Sequence, residues 1–185
     1  MPRPPLLTII GRKHSGKTTV LVRLTAELAA RGWRVMSIKH GTHTFNMDPA
    51  NTDTYRHYHE GRVARVAMVA PDKFALVARH DREPTPEEVA ERYMQDADLV
   101  VCEGFKRSAL PRIEVYRRAA HAEPIYAAGS HESAQHIAMV TDVDDLELPI
   151  PIVRLSDDDW PSQLAHLVEQ RMLAGRVAAS TQTAQ

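Results

Sequence analysis

The feature that most constrains this chain is Gly11-x-x-x-x-Gly16-Lys17-Thr18, set directly after the apolar run Leu6-Leu-Thr-Ile-Ile10. A short buried strand, a glycine-spaced loop and a helix start, in that order, have the spacing of a phosphate-binding P-loop. The chemistry explains the spacing. Glycines permit backbone conformations and close approaches that a Cβ forbids, so successive N–H groups can turn inward on a di- or triphosphate. The helix that follows aims its unpaired N–H groups and positive dipole end at the same point. Lys17 adds a point charge for the outer phosphates, and the Thr18 hydroxyl is placed to ligate Mg²⁺. Ordinary residue frequencies produce this spacing in about one unrelated chain of this length in a hundred. The loop residues Gly11, His14, Ser15, Gly16, Lys17, Thr18 and Thr19 therefore form the candidate nucleotide site.

The 185 residues suffice for one sizeable core. The expected organisation is a single domain over residues 1–174, followed by a small, polar tail at 175–185 with nothing to bury. A net charge of −1 gives no bulk attraction to nucleic acid or to an anionic membrane. No apolar stretch reaches the ~20 residues of a membrane span. The first residues run straight into the loop motif, leaving no room for a signal peptide. The expectation is a soluble, cytoplasmic protein. Its one cysteine, Cys102, lies in an apolar run and reads as a small core residue.

Of the 23 basic residues only Lys13, Lys17, Lys39, Lys73 and Lys106 are lysines. Two are in the loop, while Lys39 and Lys106 sit at or just past predicted strand ends, where an open α/β sheet meets its ligand. Helical periodicity runs from Thr18 to Arg31 and stops at Gly32, and residues 34–39 read as a second strand. The stretch from His40 to Asp53 has no period, and a loop of that length leaving a ligand-facing strand end points to function. A short helix follows over 54–60. Two apolar runs, 65–70 and 74–79, flank Pro71-Asp72-Lys73 and predict a hairpin, and with it some antiparallel pairing in the sheet.

A helix opens at Thr85-Pro86-Glu87-Glu88, and Asp98 to Glu103 is an apolar strand ending in an acid. After a P-loop, that acid is the expected second carboxylate for Mg²⁺ or its water. Strands at 112–117, 137–142 and 150–155 and a last helix at 160–173 complete the pattern. The fold class is α/β, three-layered, with a mostly parallel central sheet and an antiparallel hairpin. Asp142 ends one of these strands and could accept from the ring N–H and amino group of guanine, a paired edge that adenine lacks. His40, His43, His57 and His59 invite a metal reading. His57 and His59, two apart, do not share a helix face, so packing or contact with an anionic ligand is favoured.

Four segments taken together resemble the molybdopterin-guanine dinucleotide biosynthesis protein B (MobB) family. They are Gly11 to Thr19; Ile38-Lys-His40 with Phe45, Asp48, Asp53 and Arg56; Leu99 to Lys106; and Pro111 to Arg117. Glu-Gly-Phe-Lys followed by Pro-Arg-Ile-Glu-Val is the discriminating part. The resemblance implies a P-loop NTPase fold that binds GTP and Mg²⁺, with at most slow GTP hydrolysis, as a homodimer. It implies an accessory role beside the molybdopterin guanylyltransferase and other molybdenum cofactor assembly proteins. By motif match Gly16, Lys17 and Thr18 hold phosphate and Mg²⁺, Glu103 stands on the metal side, and Lys39, Asp48, Arg56 and Lys106 surround them. Two other readings fit the bare loop: a small-molecule kinase, for which Arg56, Arg107 and Arg112 would have to supply a lid, and a metallochaperone GTPase using the loop histidines.

Overall fold

Five consecutive apolar or small residues cannot leave one face of a strand in water, so Leu6–Ile10 belongs at the centre of a sheet covered on both sides. In the computed structural model, which describes residues 3–41 and 49–178, that strand (β1) is buried at every position. The elements that follow are α1 (Lys17–Ala30), β2 (Val35–Lys39), α2 (Asp53–His59), β3 (Arg65–Val69), β4 (Phe74–Ala78) and α3 (Pro86–Tyr93). Then come β5 (Leu99–Glu103), β6 (Arg112–Tyr116), a 3₁₀ turn at His131–Gln135, β7 (His136–Thr141), β8 (Ile152–Arg154) and α4 (Trp160–Met172).

Six strands form one sheet in the order β2-β5-β1-β6-β7-β8, and every pairing in it is parallel. Antiparallel pairing within this sheet, expected from the hairpin sequence, does not occur. The tight turn instead pairs β3 with β4 along their full length, from Arg65↔Ala78 to Val69↔Phe74, as a separate two-stranded sheet. The chain divides into two compact units accordingly, one built from Met1–His40 with Pro86–Gln185 and the other from Gly41–Thr85. The sequence reading treats residues 1–174 as a single domain; the second unit is an insertion between β2 and α3.

Alternation along the strands feeds two apolar layers. Leu7, Ile9, Leu99, Val101, Ile113 and Val115 face α1 and α4, which contribute Val20, Leu24 and Leu28, and Leu164, Ala165 and Val168. The i, i+4, i+8 spacing of the α1 residues puts them on one stripe. The opposite face carries Leu6, Val100 and Cys102 against Ala90 of α3. Further along the sheet, Tyr116, Met139 and Val143 are covered by Leu146, Leu148 and Ile150. Each fully buried Leu, Ile or Val stabilises the fold by about 1.5–3 kcal/mol.

Two polar networks set the edges of this core. At the end of α1, Arg31 bonds Glu169 of α4 at 2.7 Å and Glu27 at 2.8 Å, while the Trp33 indole N–H donates to Glu169 at 2.8 Å. Burial pushes the Glu169 carboxyl upward, but the Trp33 and Arg31 hydrogen bonds outweigh it and hold the group below its ordinary value. On the other side of the sheet the buried Glu114 carboxylate accepts from the Ile125 and Tyr126 N–H groups at 2.5 and 2.8 Å, fixing the loop after β6.

In the inserted unit, Thr52 caps α2 by accepting from Tyr55 N at 3.3 Å. The Arg79 guanidinium lies 4.0 Å over the Tyr58 ring and also donates to the carbonyls of Tyr58 and Val63. Apolar side chains on this hairpin remain exposed, Val69 at 80% and Phe74 at 73%.

Candidate functional site

The strand order reverses at β1: the chain passes from β1 to β2 on one side and, through β5, returns to β6 on the other. Open parallel sheets bind their ligands at the carboxyl ends of the strands flanking such a point. The loop Gly11–Gly16 leaves β1 there. Gly11 has φ +151°, and a Cβ on it would lie 2.5 Å from the Val115 carbonyl oxygen and 2.6 Å from Ser15 Oγ. Gly16, the N-cap of α1, is left-handed at φ +91°, and His14 between them also has positive φ, at 65°. These turns wind the loop inward.

Two observations show that the loop suits an anion. Ser15 is 1% exposed and its Oγ has no hydrogen-bond partner among the described residues, a buried polar atom of the kind a ligand oxygen satisfies. The first turn of α1 has neither a side-chain cap nor an acidic residue, so its N–H groups, Thr19 included, keep their positive field toward the loop. The Lys17 ammonium crosses the loop and donates to the Arg12 carbonyl at 2.7 Å.

Glu103 ends β5, which lies between β1 and β2, in register with Ile9 on one side and Lys39 on the other. Thr18 Oγ1 therefore meets the Glu103 carboxylate at 3.0 and 3.1 Å, and Lys39 Nζ stands 3.5 Å from it. A hydroxyl beside a carboxylate is a hard-oxygen donor pair. It fits Mg²⁺, which takes one or two protein oxygens and completes its shell with phosphate and water. Among the described residues no group of three His, Cys, Asp or Glu side chains is assembled for a metal.

Lys106 follows the Gly104-Phe105 turn, which requires its glycine: φ is +100° at Gly104, and a Cβ there would stand 2.9 Å from His40 Cβ. The His40 and Phe105 rings stack at 4.8 Å, closing the turn against the end of β2. Burial, then the charge of Lys106, lowers the Lys17 pKa, with Lys39 adding to the effect and Glu103 opposing it. Several ammonium groups thus share one carboxylate, a surplus of positive charge that favours an anion.

The remaining predicted residues belong to other segments. Arg56 belongs to the inserted unit, where its Nε bonds Glu60 one helical turn away at 3.1–3.2 Å and lines a cleft of about 310 Å³ with Asp53, His57 and Gly61. Asp48, His43 and Phe45 lie outside the described residues, as do the tail positions beyond 178. Asp142 follows β7. Its Oδ2 accepts from Arg117 Nε and its Oδ1 from the Arg118 N–H, both at 3.1 Å. Burial pushes the Cys102 thiol up to about 12, consistent with a core residue and not a nucleophile.

Sequence reasoning passed over two residues beside the loop. His121 Nε2 lies 2.6 Å from the Lys13 carbonyl oxygen, and Arg117 runs along Gly16. Arg117 stands at the carboxyl end of β6, the other neighbour of β1, and that position was the available signal.

A glycine loop between β1 and α1, with the Glu103 carboxylate on the adjoining strand end, gives this chain the fold of a P-loop NTPase. The profile of the molybdopterin guanine dinucleotide synthesis protein B family, MobB, matches residues 6–142, and the chain belongs to that family. It is similar to the molybdopterin-guanine dinucleotide biosynthesis adapter protein of Haemophilus influenzae, 34% identical over 115 residues, 62% of this chain and 64% of the relative. The adapter protein of Escherichia coli is 30% identical over 126 residues, 65% of this chain and 70% of that relative. The matched part thus spans somewhat less than two thirds of the Haemophilus protein. A crystal structure of molybdopterin-guanine biosynthesis protein B superimposes with a TM-score of 0.67 at 26% identity, covering 89% of this chain and 98% of the other. Bacillus subtilis MobB shares the fold, with a TM-score of 0.60 at 18% identity and coverage of 88% and 97%.

Proposed function

We propose that this chain binds GTP with Mg²⁺ and presents it to molybdenum cofactor assembly, as an accessory to the transferase that joins GMP to molybdopterin. The observation that carries the reading is the meeting of Lys17, Thr18 and Glu103 at one sheet edge, in a chain of the MobB family. The loop N–H groups and Lys17 hold the phosphates, and Thr18 and Glu103 hold the metal side. Lys39 and Lys106 balance the added negative charge. Mg²⁺, when bound, supplies charge neutralisation between the outer phosphates. Hydrolysis by this chain is at most slow, because the work assigned to it is to hold and present the nucleotide. Asp142 is assigned as the acceptor for guanine. The protein acts in the cytoplasm.

Thermal unfolding with GTP, GDP and ATP in the presence of Mg²⁺ tests the nucleotide. Ligand at 100 times its Kd should add about 2.7 kcal/mol of stability. Equal stabilisation by ATP and GTP would remove the guanine assignment. The accessory role predicts that the molybdopterin guanylyltransferase co-purifies with this chain; loss of that association at low salt, where ionic contacts are strongest, would argue against it.

The homodimer is assigned to the hairpin. Val69, Phe74 and Leu76 share one face of β3–β4 and are all exposed, and both outer edges of this two-stranded sheet lack a partner strand among the described residues. A lone hairpin is marginal in water, and a second copy offers an identical apolar face and edge. Phe74→Asp should convert the dimer to monomer in sedimentation while leaving GTP binding intact. A monomeric wild-type protein at micromolar concentration would overturn the assignment.

A further inference from the structure

β6 and the segment after it approach the phosphate loop at three places, through residues that are not part of the glycine motif. The Val115 carbonyl oxygen stands where Gly11 would carry a Cβ, 2.5 Å away. His121 Nε2 lies 2.6 Å from the Lys13 carbonyl oxygen, and since a carbonyl only accepts, that nitrogen carries the proton. Arg117 lies along Gly16, with its Cδ and Nη1 3.9 and 4.0 Å from where a Cβ on that glycine would sit.

Gly16 is the N-cap of α1, the point on which the loop and helix N–H groups converge. A guanidinium reaches it because β6 is the parallel neighbour of β1, so both strands end at the same edge. Asp142 holds that guanidinium through Nε, at 3.1 Å, and leaves Nη1 beside Gly16. The pair is half in solvent, with the Arg117 side chain 47% exposed and that of Asp142 29%. An ion pair so placed is weak. A guanidinium fork on phosphate oxygens, making two charge-assisted hydrogen bonds, is among the strong ones.

We propose that Arg117 is a ligand of the phosphates of a bound nucleotide, tethered beside the loop by Asp142 and exchanged from that carboxylate onto the phosphates on binding. This rests on the nucleotide reading above and adds a residue that the glycine motif does not contain. The exchange also frees one oxygen of Asp142, the acceptor assigned above to guanine. Occupancy by the phosphates and recognition of the base are thereby coupled through one ion pair.

The test is titration calorimetry with GTP, GDP and inorganic tripolyphosphate, each with Mg²⁺, on the wild type, Arg117→Ala, Arg117→Lys and Asp142→Ala. Arg117→Ala should weaken GTP and tripolyphosphate about tenfold or more and leave the melting temperature of the free protein unchanged. Arg117→Lys should recover part of the loss. Asp142→Ala, which frees the guanidinium, should tighten tripolyphosphate, a probe with no base for Asp142 to read. A brace for the turn would instead lower the melting temperature of the free protein, and Arg117→Lys would not recover the affinity. Unchanged tripolyphosphate affinity in Arg117→Ala, or weaker tripolyphosphate binding in Asp142→Ala, overturns the inference and leaves the nucleotide reading standing. A wild type that binds none of the three ligands overturns both.

Discussion

Replacing Lys17 by alanine should erase the stabilisation that GTP confers and leave the free protein close to its original melting temperature. Among the described residues the ammonium makes one hydrogen bond, to the Arg12 carbonyl, and a bond of that kind is worth about 0.5–1.5 kcal/mol net. In the complex it is the central charge on the outer phosphates, and its loss should cost about a hundredfold in affinity, close to 2.7 kcal/mol. The two readouts separate a binding residue from a folding one. The pH dependence gives a second check. Burial, then Lys106 and Lys39, against Glu103, bring Lys17 below the ordinary lysine value, whereas bound phosphates raise it. Binding therefore draws in a proton once the pH exceeds the lowered value, and wild-type affinity should fall by up to about tenfold per pH unit in that alkaline window. Below it the affinity should not vary through this group. In Lys17→Ala the slope should vanish; a slope that persists would assign the titration to another residue.

Gly11→Ala should be the most damaging single methyl in the loop. The new Cβ would stand 2.5 Å from a backbone oxygen of β6 and 2.6 Å from Ser15 Oγ, at a φ of +151° that L side chains rarely adopt. The Val115 oxygen belongs to a buried strand and cannot retreat, so the loop must lift from β6 and carry Ser15 and the start of α1 with it. We expect a loss of about 3 kcal/mol from overpacking and strain together. For a chain of this size that is roughly 6–12 °C in melting temperature. Gly129→Ala provides the comparison: its φ is +78°, but nothing lies within 4 Å of the added methyl, so only the left-handed penalty of about 1 kcal/mol applies. Equal losses at the two positions would show that the close approach at Gly11 is not what selects glycine.

The parts of this protein legible in its sequence are those written in local pattern. Gly11 and Gly16 mark their turn by spacing, Leu24 and Leu28 mark the buried stripe of α1, and Glu103 marks a strand end by closing an apolar run. The Thr18–Glu103 contact could be anticipated because both partners belong to recognisable local units. The Arg117–Asp142 pair could not, since it depends on β6 and β7 lying side by side in register from Ile113↔Ala138 to Tyr116↔Thr141. Asp142 read alone is a free carboxylate, whereas in the fold both of its oxygens have partners. The hairpin was legible as a hairpin, but its separation into its own sheet was not, because β3 and β4 are as apolar as strands of the main sheet. Arg56 stands in the inserted unit with Glu60 as its partner, a pairing set by helical spacing.

The tie between Arg31 and Glu169 bears on how the chain can be cut. The stretch that matches the family profile ends at residue 142, before β8 and α4. Yet α4 covers Leu24 and Leu28 and grips the far end of the helix whose near end caps the glycine loop. The stretch matched by the family profile is therefore not an autonomous folding piece. A deletion that spares every motif but stops at 142 would leave the stripe of α1 in water, so the shortest functional fragment has to extend through Leu173.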